Sequence, residues 1–144
     1  MHPLATIGYE AETLDGVIAK LKAARVDIVI DVRAVASSRR AGFSKTLLAA
    51  SLEADGIAYR HLRALGTPKP GRDAARKGRV AEMHAIYEDH LHDPEAQAQL
   101  AEAAEIAEAR PAALLCYEAD AAGCHRRIVA ERLRAARGFE IVDL

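Results

Sequence analysis

The sequence predicts an α/β fold: a single-domain, mostly parallel sheet of about five strands with helices on both faces. Three observations carry that expectation. Short apolar runs rich in β-branched residues alternate with segments whose apolar residues recur at helical spacing. Glycine, proline and polar stretches separate the two kinds. The chain has 144 residues, 51% of them hydrophobic and 28% charged, enough to bury one core, so 1–144 is expected to form one domain.

Leu4 to Gly8 reads as a short apolar strand ending in glycine. Thr13 to Ala24 places Leu14, Val17, Ile18 and Leu21 on one helical face. Val26 to Asp31 is rich in β-branched residues and reads as a second, buried strand. A polar loop, Ala36 to Gly42, leads to a helix over Ser44 to Ala54, with Ser44 as N-cap and Gly56 ending it. Ile57 to His61 returns as a third strand. The basic, breaker-rich segment Leu65 to Arg79, with two prolines and three glycines, is expected to be a mobile surface loop. Two helices follow, Val80 to Leu91 and Pro94 to Ala109, the second with proline in its first turn. Ala112 to Cys116 is the fourth strand, Cys124 to Arg137 the last helix, and Phe139 to Val142 a final short strand.

No apolar run approaches the roughly 20 residues that span a bilayer, so no membrane partner is expected. The first residues lack a basic stretch followed by an apolar one, which argues against a secretory signal. Two cysteines are too few for a disulfide scaffold, and a reducing cytoplasm is the expected compartment. The net charge of −1 hides an asymmetry. Between Arg33 and Arg79 eleven Lys/Arg face three acids, a local +8 that leaves −9 for the rest. Such polarity suits a phosphate-bearing partner, a small ligand or nucleic acid. It equally suits a solvated surface or self-association as a homodimer.

The densest concentration of chemistry is Cys116-Tyr-Glu-Ala-Asp-Ala-Ala-Gly-Cys124-His-Arg-Arg127. Both cysteines, a histidine, arginines and carboxylates meet there where a strand hands over to a helix. In open α/β sheets ligands bind at the carboxyl ends of strands. Gly8-Tyr9-Glu10, Asp31-Val-Arg33, Tyr59-Arg-His61 and Cys116-Tyr-Glu118 would all lie at such ends and converge on one cleft.

Four blocks carry a family resemblance: Thr6-Ile-Gly-Tyr-Glu10; Asp31-Val-Arg33 with Ser37-Ser-Arg-Arg-Ala-Gly-Phe-Ser-Lys45; Gly56-Ile-Ala-Tyr-Arg-His-Leu-Arg-Ala-Leu-Gly66; and Leu115-Cys-Tyr-Glu118 with Cys124-His-Arg126. In this order they resemble the domain of unknown function 488 family over nearly the whole chain. Ala36 and Ala41 stand where prolines would be expected, which loosens the loop without removing a polar group. The resemblance implies a compact bacterial α/β domain with no established activity. It also implies that Asp31, Arg33, Tyr59, Glu118, Cys124, His125 and Arg126 occupy motif positions.

The candidate catalytic groups are Asp31, Glu118, His125 and Cys124. Asp31 could orient Arg33 or act as base, and a structural ion pair is the plainer account of both. Glu118 could be a general base or hold His125 or Arg126 in place. His125 could move protons near neutral pH, and a packed, hydrogen-bonded histidine is the competing account. Cys124 at a helix start would tend towards thiolate, but nearby Glu118 and Asp120 oppose that, so a buried structural cysteine is the default for it and for Cys116.

The candidate anion-binding groups are Arg33, Arg126, Ser37, Arg39 and Tyr59. Arg33 offers a planar fork, and Arg126 sits in a helical first turn. Cys116, Cys124, His125 and His61 could in principle hold zinc. Their spacing is unusual, however, and Cys124 and His125 should diverge on a helix, so neither metal nor other cofactor is expected.

A second resemblance covers about half of the elements. Ile30-Asp-Val-Arg33, Leu115-Cys116 and Gly138-Phe-Glu-Ile-Val142 are similar to the rhodanese-like sulfurtransferases, which leaves a rhodanese-like topology and sulfur transfer at Cys116 open. Glu118 and Asp120 follow where a persulfide would want donors and cations. A Cys-x5-Arg phosphatase loop is excluded, because Ala122 stands six residues after Cys116. The reading that follows is an anion- or phosphate-binding α/β domain, a hydrolase or transferase acting on a nucleotide or nucleic-acid-like ligand. Sulfur transfer and a non-enzymatic binding module are the alternatives.

Overall fold

A computed structural model describes residues 2–144. Five strands, β1 (Leu4–Gly8), β2 (Ile28–Asp31), β3 (Ala58–His61), β4 (Ala112–Cys116) and β5 (Ile141–Asp143), form one all-parallel sheet in the order β3-β2-β4-β1-β5. The helices are α1 (Leu14–Ala23), α2 (Lys45–Ala54), α3 (Lys69–Arg76), α4 (Val80–His90), α5 (Pro94–Ala109) and α6 (Arg126–Arg137). This is the predicted α/β architecture. No helix among the described residues is long and apolar enough to cross a membrane.

Side-chain alternation decides which face each helix covers. Val29, Ala113 and Leu115 point to one side with Ala5 and Ile7, where they meet Val17, Ile18 and Leu21 of α1 and Leu48 and Leu52 of α2. Ile28, Ile30, Leu114 and Cys116 point to the other side with Leu4. There they meet Met83 and Tyr87 of α4, Ala103 and Ala107 of α5, and Val129 and Leu133 of α6. Most of these side chains are fully buried, and each valine, leucine, isoleucine or methionine among them stabilises the fold by about 1.5–3 kcal/mol before entropy is counted.

The chain therefore leaves β1 and β2 towards one face and β4, which lies between them, towards the other. Loops departing in opposite directions open a crevice at the carboxyl end of β4. Gly8, at the end of β1, lets that crevice floor close tightly. A Cβ there would lie 1.7 Å from the carbonyl oxygen of Glu118 and 2.9 Å from Nη1 of Arg126.

The expected mobile loop over Leu65 to Arg79 is corrected. Arg63–Leu65 forms a 3-10 turn, and α3 begins at Lys69 with Pro70 in its first turn. A proline there loses no hydrogen bond, because first-turn N–H groups have no helical acceptor. Gly71 then allows close contact with α4: a Cβ on it would meet Thr67 at 2.4 Å and Ile86 at 3.3 Å. The breakers thus start a helix and pack it.

Ser44 stands at the predicted N-cap position of α2, yet its hydroxyl makes no capping bond. It accepts instead from the amide of Ser38 at 3.0 Å and lies 3.2 Å from the Ser38 carbonyl, closing the polar loop on itself. The last helix begins two residues later than expected, at Arg126, so Cys124 and His125 precede it.

Candidate functional site

The crevice holds a cavity of about 360 Å³. Tyr9 enters it from the end of β1, Arg33, Val35, Ser37, Ser38 and Arg39 from the loop after β2, and Cys116, Tyr117 and Glu118 from the end of β4. His125 and Met83 close its depth, while Thr67, Arg72 and Arg76 supply the wall built by α3. One rim is therefore cationic and hydroxyl-rich, the interior apolar and aromatic, and a carboxyl group stands opposite.

Asp31 is fully buried and grips Arg33 in a bidentate pair. Arg33 Nε donates to Oδ1 at 2.9 Å and Nη2 to Oδ2 at 2.7 Å, while the Arg33 amide also donates to Oδ1 at 3.1 Å. Nη1 donates to the Tyr9 hydroxyl at 3.0 Å and the Phe43 carbonyl at 2.7 Å. These bonds use four of the five guanidinium N–H groups. Tyr59 donates its hydroxyl to Asp31 Oδ2 at 2.5 Å. Burial opposes the charge on Arg33, but Asp31 more than offsets it and holds the guanidinium pKa above its ordinary value. Burial, and then the charge of Asp31, pushes the Tyr59 phenol up. Asp31 and Tyr59 lie behind the cavity wall rather than on it.

Arg126 also lies behind the wall. It is 1% exposed, and no carboxylate pairs with it among the described residues. Its Nη1 donates to the Glu118 carbonyl and lies 3.0 Å from Cys116 Sγ, and Nη2 donates to the Ala119 carbonyl at 3.2 Å. Its Nε is buried without a partner. Burial lowers its pKa. The side chain clamps the loop after β4, a consequence of starting α6 directly beneath that loop.

The expectation of two separate buried cysteines is corrected. The 3-10 turn Ala121–Gly123 folds the segment back, and the sulfurs of Cys116 and Cys124 are joined at 2.08 Å. The expected divergence of Cys124 and His125 is likewise corrected: ahead of the helix, their side chains converge, with Cys124 Sγ 3.7 Å from His125 Nδ1. His125 Nε2 lies 2.6 Å from the Val32 carbonyl, so that nitrogen carries the proton. Burial lowers the histidine to about 4, leaving the ring neutral near pH 7. His61 is elsewhere, bound through Nε2 to the Arg33 carbonyl at 2.7 Å.

Glu118 is half-buried, and burial raises its carboxyl above the ordinary value. Its Oε2 lies 3.5 Å from Cys116 Sγ, facing the cavity. Ser37 and Arg39 are exposed at the mouth, and Arg39 has no ion-pair partner among the described residues. The neighbouring Arg40 ties the loop down by donating to the carbonyls of Glu10 and Glu12. Of the candidates named from sequence, Glu118, His125, Arg33, Ser37 and Arg39 meet at one cavity. Asp31, Tyr59, Cys124 and Arg126 support it from behind. Ser38, Thr67 and Met83 were not foreseen. For Thr67 the usable signal was Thr-Pro-Lys-Pro, which starts a helix and so brings the threonine to its base.

Residues 13–133 match the family described as Domain of unknown function DUF488, and the chain belongs to that family. Comparison with curated proteins finds no match. Comparison with solved structures finds none either.

Proposed function

We propose that this member of the unknown-function 488 family binds a phosphate-bearing ligand, a nucleotide or the end of a nucleic acid, and acts on it as a hydrolase or transferase. The observation that carries the reading is one cavity with Arg39, Arg72 and Arg76 on its rim and a half-buried carboxyl, Glu118, inside. Guanidinium forks match phosphate oxygens in geometry and charge. Ser37, Ser38 and Thr67 add hydroxyl donors beside them, and Tyr117, 44% exposed, offers a ring face for a base.

In this reading Glu118 takes the proton of the attacking hydroxyl, from water in a hydrolase or from an acceptor in a transferase. Its raised pKa keeps it proton-competent nearer neutrality than an exposed carboxylate. The rim arginines neutralise charge that gathers on the phosphate oxygens. Asp31, Arg33, Tyr59 and Arg126 are positioning residues that fix the two loops. Cys124 and His125 support the loop after β4 from below.

A thermal-shift panel of nucleotides, sugar phosphates and short DNA and RNA tests the reading, run on wild type and Arg72→Ala/Arg76→Ala. Stabilisation grows as RT ln(1 + [L]/Kd), so weak ligands register. A shift present in wild type and absent in the double variant supports the proposal; no shift with any phosphate compound would defeat it. Turnover lost in Glu118→Gln with binding retained supports the acid/base role. Equal behaviour of wild type and Glu118→Gln would leave a binding module.

One observation favours sulfur transfer as a second reading. Once the bond to Cys124 is reduced, Arg126 Nη1, 3.0 Å from Cys116 Sγ, would stabilise a thiolate or persulfide there. A persulfide mass shift lost in Cys116→Ser would be its signature.

A further inference from the structure

We propose that Cys116, Cys124 and His125 form the protein ligands of a zinc-type divalent metal site whose remaining coordination position opens into the cavity. Their ligating atoms all lie within 4.8 Å of one another, and all three residues are buried. Two thiolates and an imidazole select a borderline-soft ion, and three protein ligands with a free position are the pattern of a reactive rather than a purely structural site.

Four further observations fit a metal. First, His125 donates its Nε2 hydrogen to the Val32 carbonyl at 2.6 Å, which leaves the Nδ1 lone pair facing Cys124 Sγ. A backbone carbonyl on the far nitrogen is how metal-bound imidazoles are commonly fixed. Second, the Cα atoms of Cys116 and Cys124 are 7.5 Å apart, beyond the roughly 4.4–6.8 Å that a disulfide usually spans. Two sulfurs bound to one tetrahedral ion at about 2.3 Å sit about 3.8 Å from each other, which suits the wider backbone.

Third, the buried guanidinium of Arg126 forms no ion pair with a carboxylate among the described residues but reaches Cys116 Sγ at 3.0 Å, and the Arg126 amide reaches Cys124 Sγ at 3.5 Å. Donors aimed at both sulfurs are what a thiolate pair requires. Two thiolates, Arg126, a divalent ion and the Glu118 carboxylate sum to zero charge. Fourth, Cys116, Glu118 and His125 all line the cavity, with Glu118 Oε2 3.5 Å from Cys116 Sγ. The open position therefore points where a phosphate oxygen or a water would lie. Glu118 stands beside it as an additional oxygen ligand or as the base for a bound water.

Loading the site requires the reduced pair. An added dithiol reductant gives two electrons and two protons to the Cys116–Cys124 bond and becomes a disulfide itself. The ion then takes both sulfurs as thiolates, and two protons leave to solvent. Oxidation of the pair by an added small-molecule disulfide, which takes the two electrons and leaves as two thiols, would expel the ion, so the same two cysteines would make the site sensitive to redox conditions.

The test uses Co²⁺ alone as probe, added to reduced wild-type protein in the absence of air and of any phosphate compound. The expected result is one ion per chain, with an intense thiolate-to-cobalt charge-transfer band and the visible bands of a tetrahedral ion. Zn²⁺ should displace it. Cys124→Ser should abolish the charge-transfer signal, and His125→Ala should weaken binding at least tenfold, each checked for fold by circular dichroism. Independently of any variant, Zn²⁺ should protect both cysteines of the reduced wild type from alkylation. No charge-transfer band, or cysteines alkylated equally fast with and without Zn²⁺, would overturn the proposal. The proposal does not rest on phosphate binding. A cobalt signal alongside a silent nucleotide panel sinks only the phosphate reading, and the reverse result sinks only the metal site.

Discussion

Replacing Asp31 with asparagine should cost the fold about 3–5 kcal/mol. The carboxylate accepts four hydrogen bonds, three from Arg33 and one from Tyr59, with no exposure to water. In Asp31→Asn one oxygen still accepts, but the amide nitrogen must replace either Oδ2, facing Nη2 of Arg33 and the Tyr59 hydroxyl, or Oδ1, facing the amide and Nε of Arg33. Two charge-assisted bonds are lost, at roughly 1.5–3 kcal/mol each. The same range follows from leaving one partner of a buried pair uncompensated. Against a total stability of roughly 5–15 kcal/mol, such a loss is severe. At about 3 °C per kcal/mol for a chain of this length, Tm should fall by roughly 10–15 °C. Urea unfolding followed by circular dichroism measures the loss by linear extrapolation. The double variant Asp31→Leu/Arg33→Met should recover most of it, because it removes both charges together. A loss below about 1 kcal/mol in Asp31→Asn would refute the claim that this pair holds the loop after β2.

Gly8→Ala would drive a methyl group into the Glu118 carbonyl, 1.7 Å away. A loss of about 3 kcal/mol is expected, together with weaker phosphate binding as the loop after β4 shifts; unchanged urea midpoint and affinity would contradict this. Tyr87 is fully buried and donates its hydroxyl to the Leu65 carbonyl, so Tyr87→Phe should cost about 1–3 kcal/mol in the same assay. Acid should destabilise the metal-free, disulfide-bonded protein through His125. Its folded pKa is about 4, below the ordinary 6.5, so its contribution is fully present above pH 6.5 and is lost as pH falls towards 4. That loss is on the order of 3 kcal/mol, and His125→Gln should flatten this part of the stability profile; equal profiles for the two proteins would contradict the assignment.

The sheet was legible because its strands are fully buried runs: β1 and β4 match their expected spans to the residue. Convergence of Arg33, Glu118 and His125 was legible too, since parallel strands bring their carboxyl ends together. Lys69–Arg76 was not. Proline and glycine signal a loop by local propensity, while their helical role here depends on Gly71 meeting α4, a contact made in space. The cysteines show the same limit. Read as part of a helix, Cys124 and His125 should point apart; the 3-10 turn at Ala121–Gly123 delays the helix and turns both towards Cys116. The holding role of Arg126 was also hidden, because it depends on the close approach permitted by Gly8.

The cavity at the carboxyl end of β4 is proposed to receive a phosphate-bearing ligand. Amide chemical shifts recorded while a nucleoside diphosphate is titrated into the ¹⁵N-labelled protein test it most directly. Saturable shifts are expected at residues 37–40, 67–76 and 117–119, with the apparent affinity reduced at least tenfold in Arg72→Ala/Arg76→Ala. Shifts confined to another surface, or a spectrum that does not change, would contradict it.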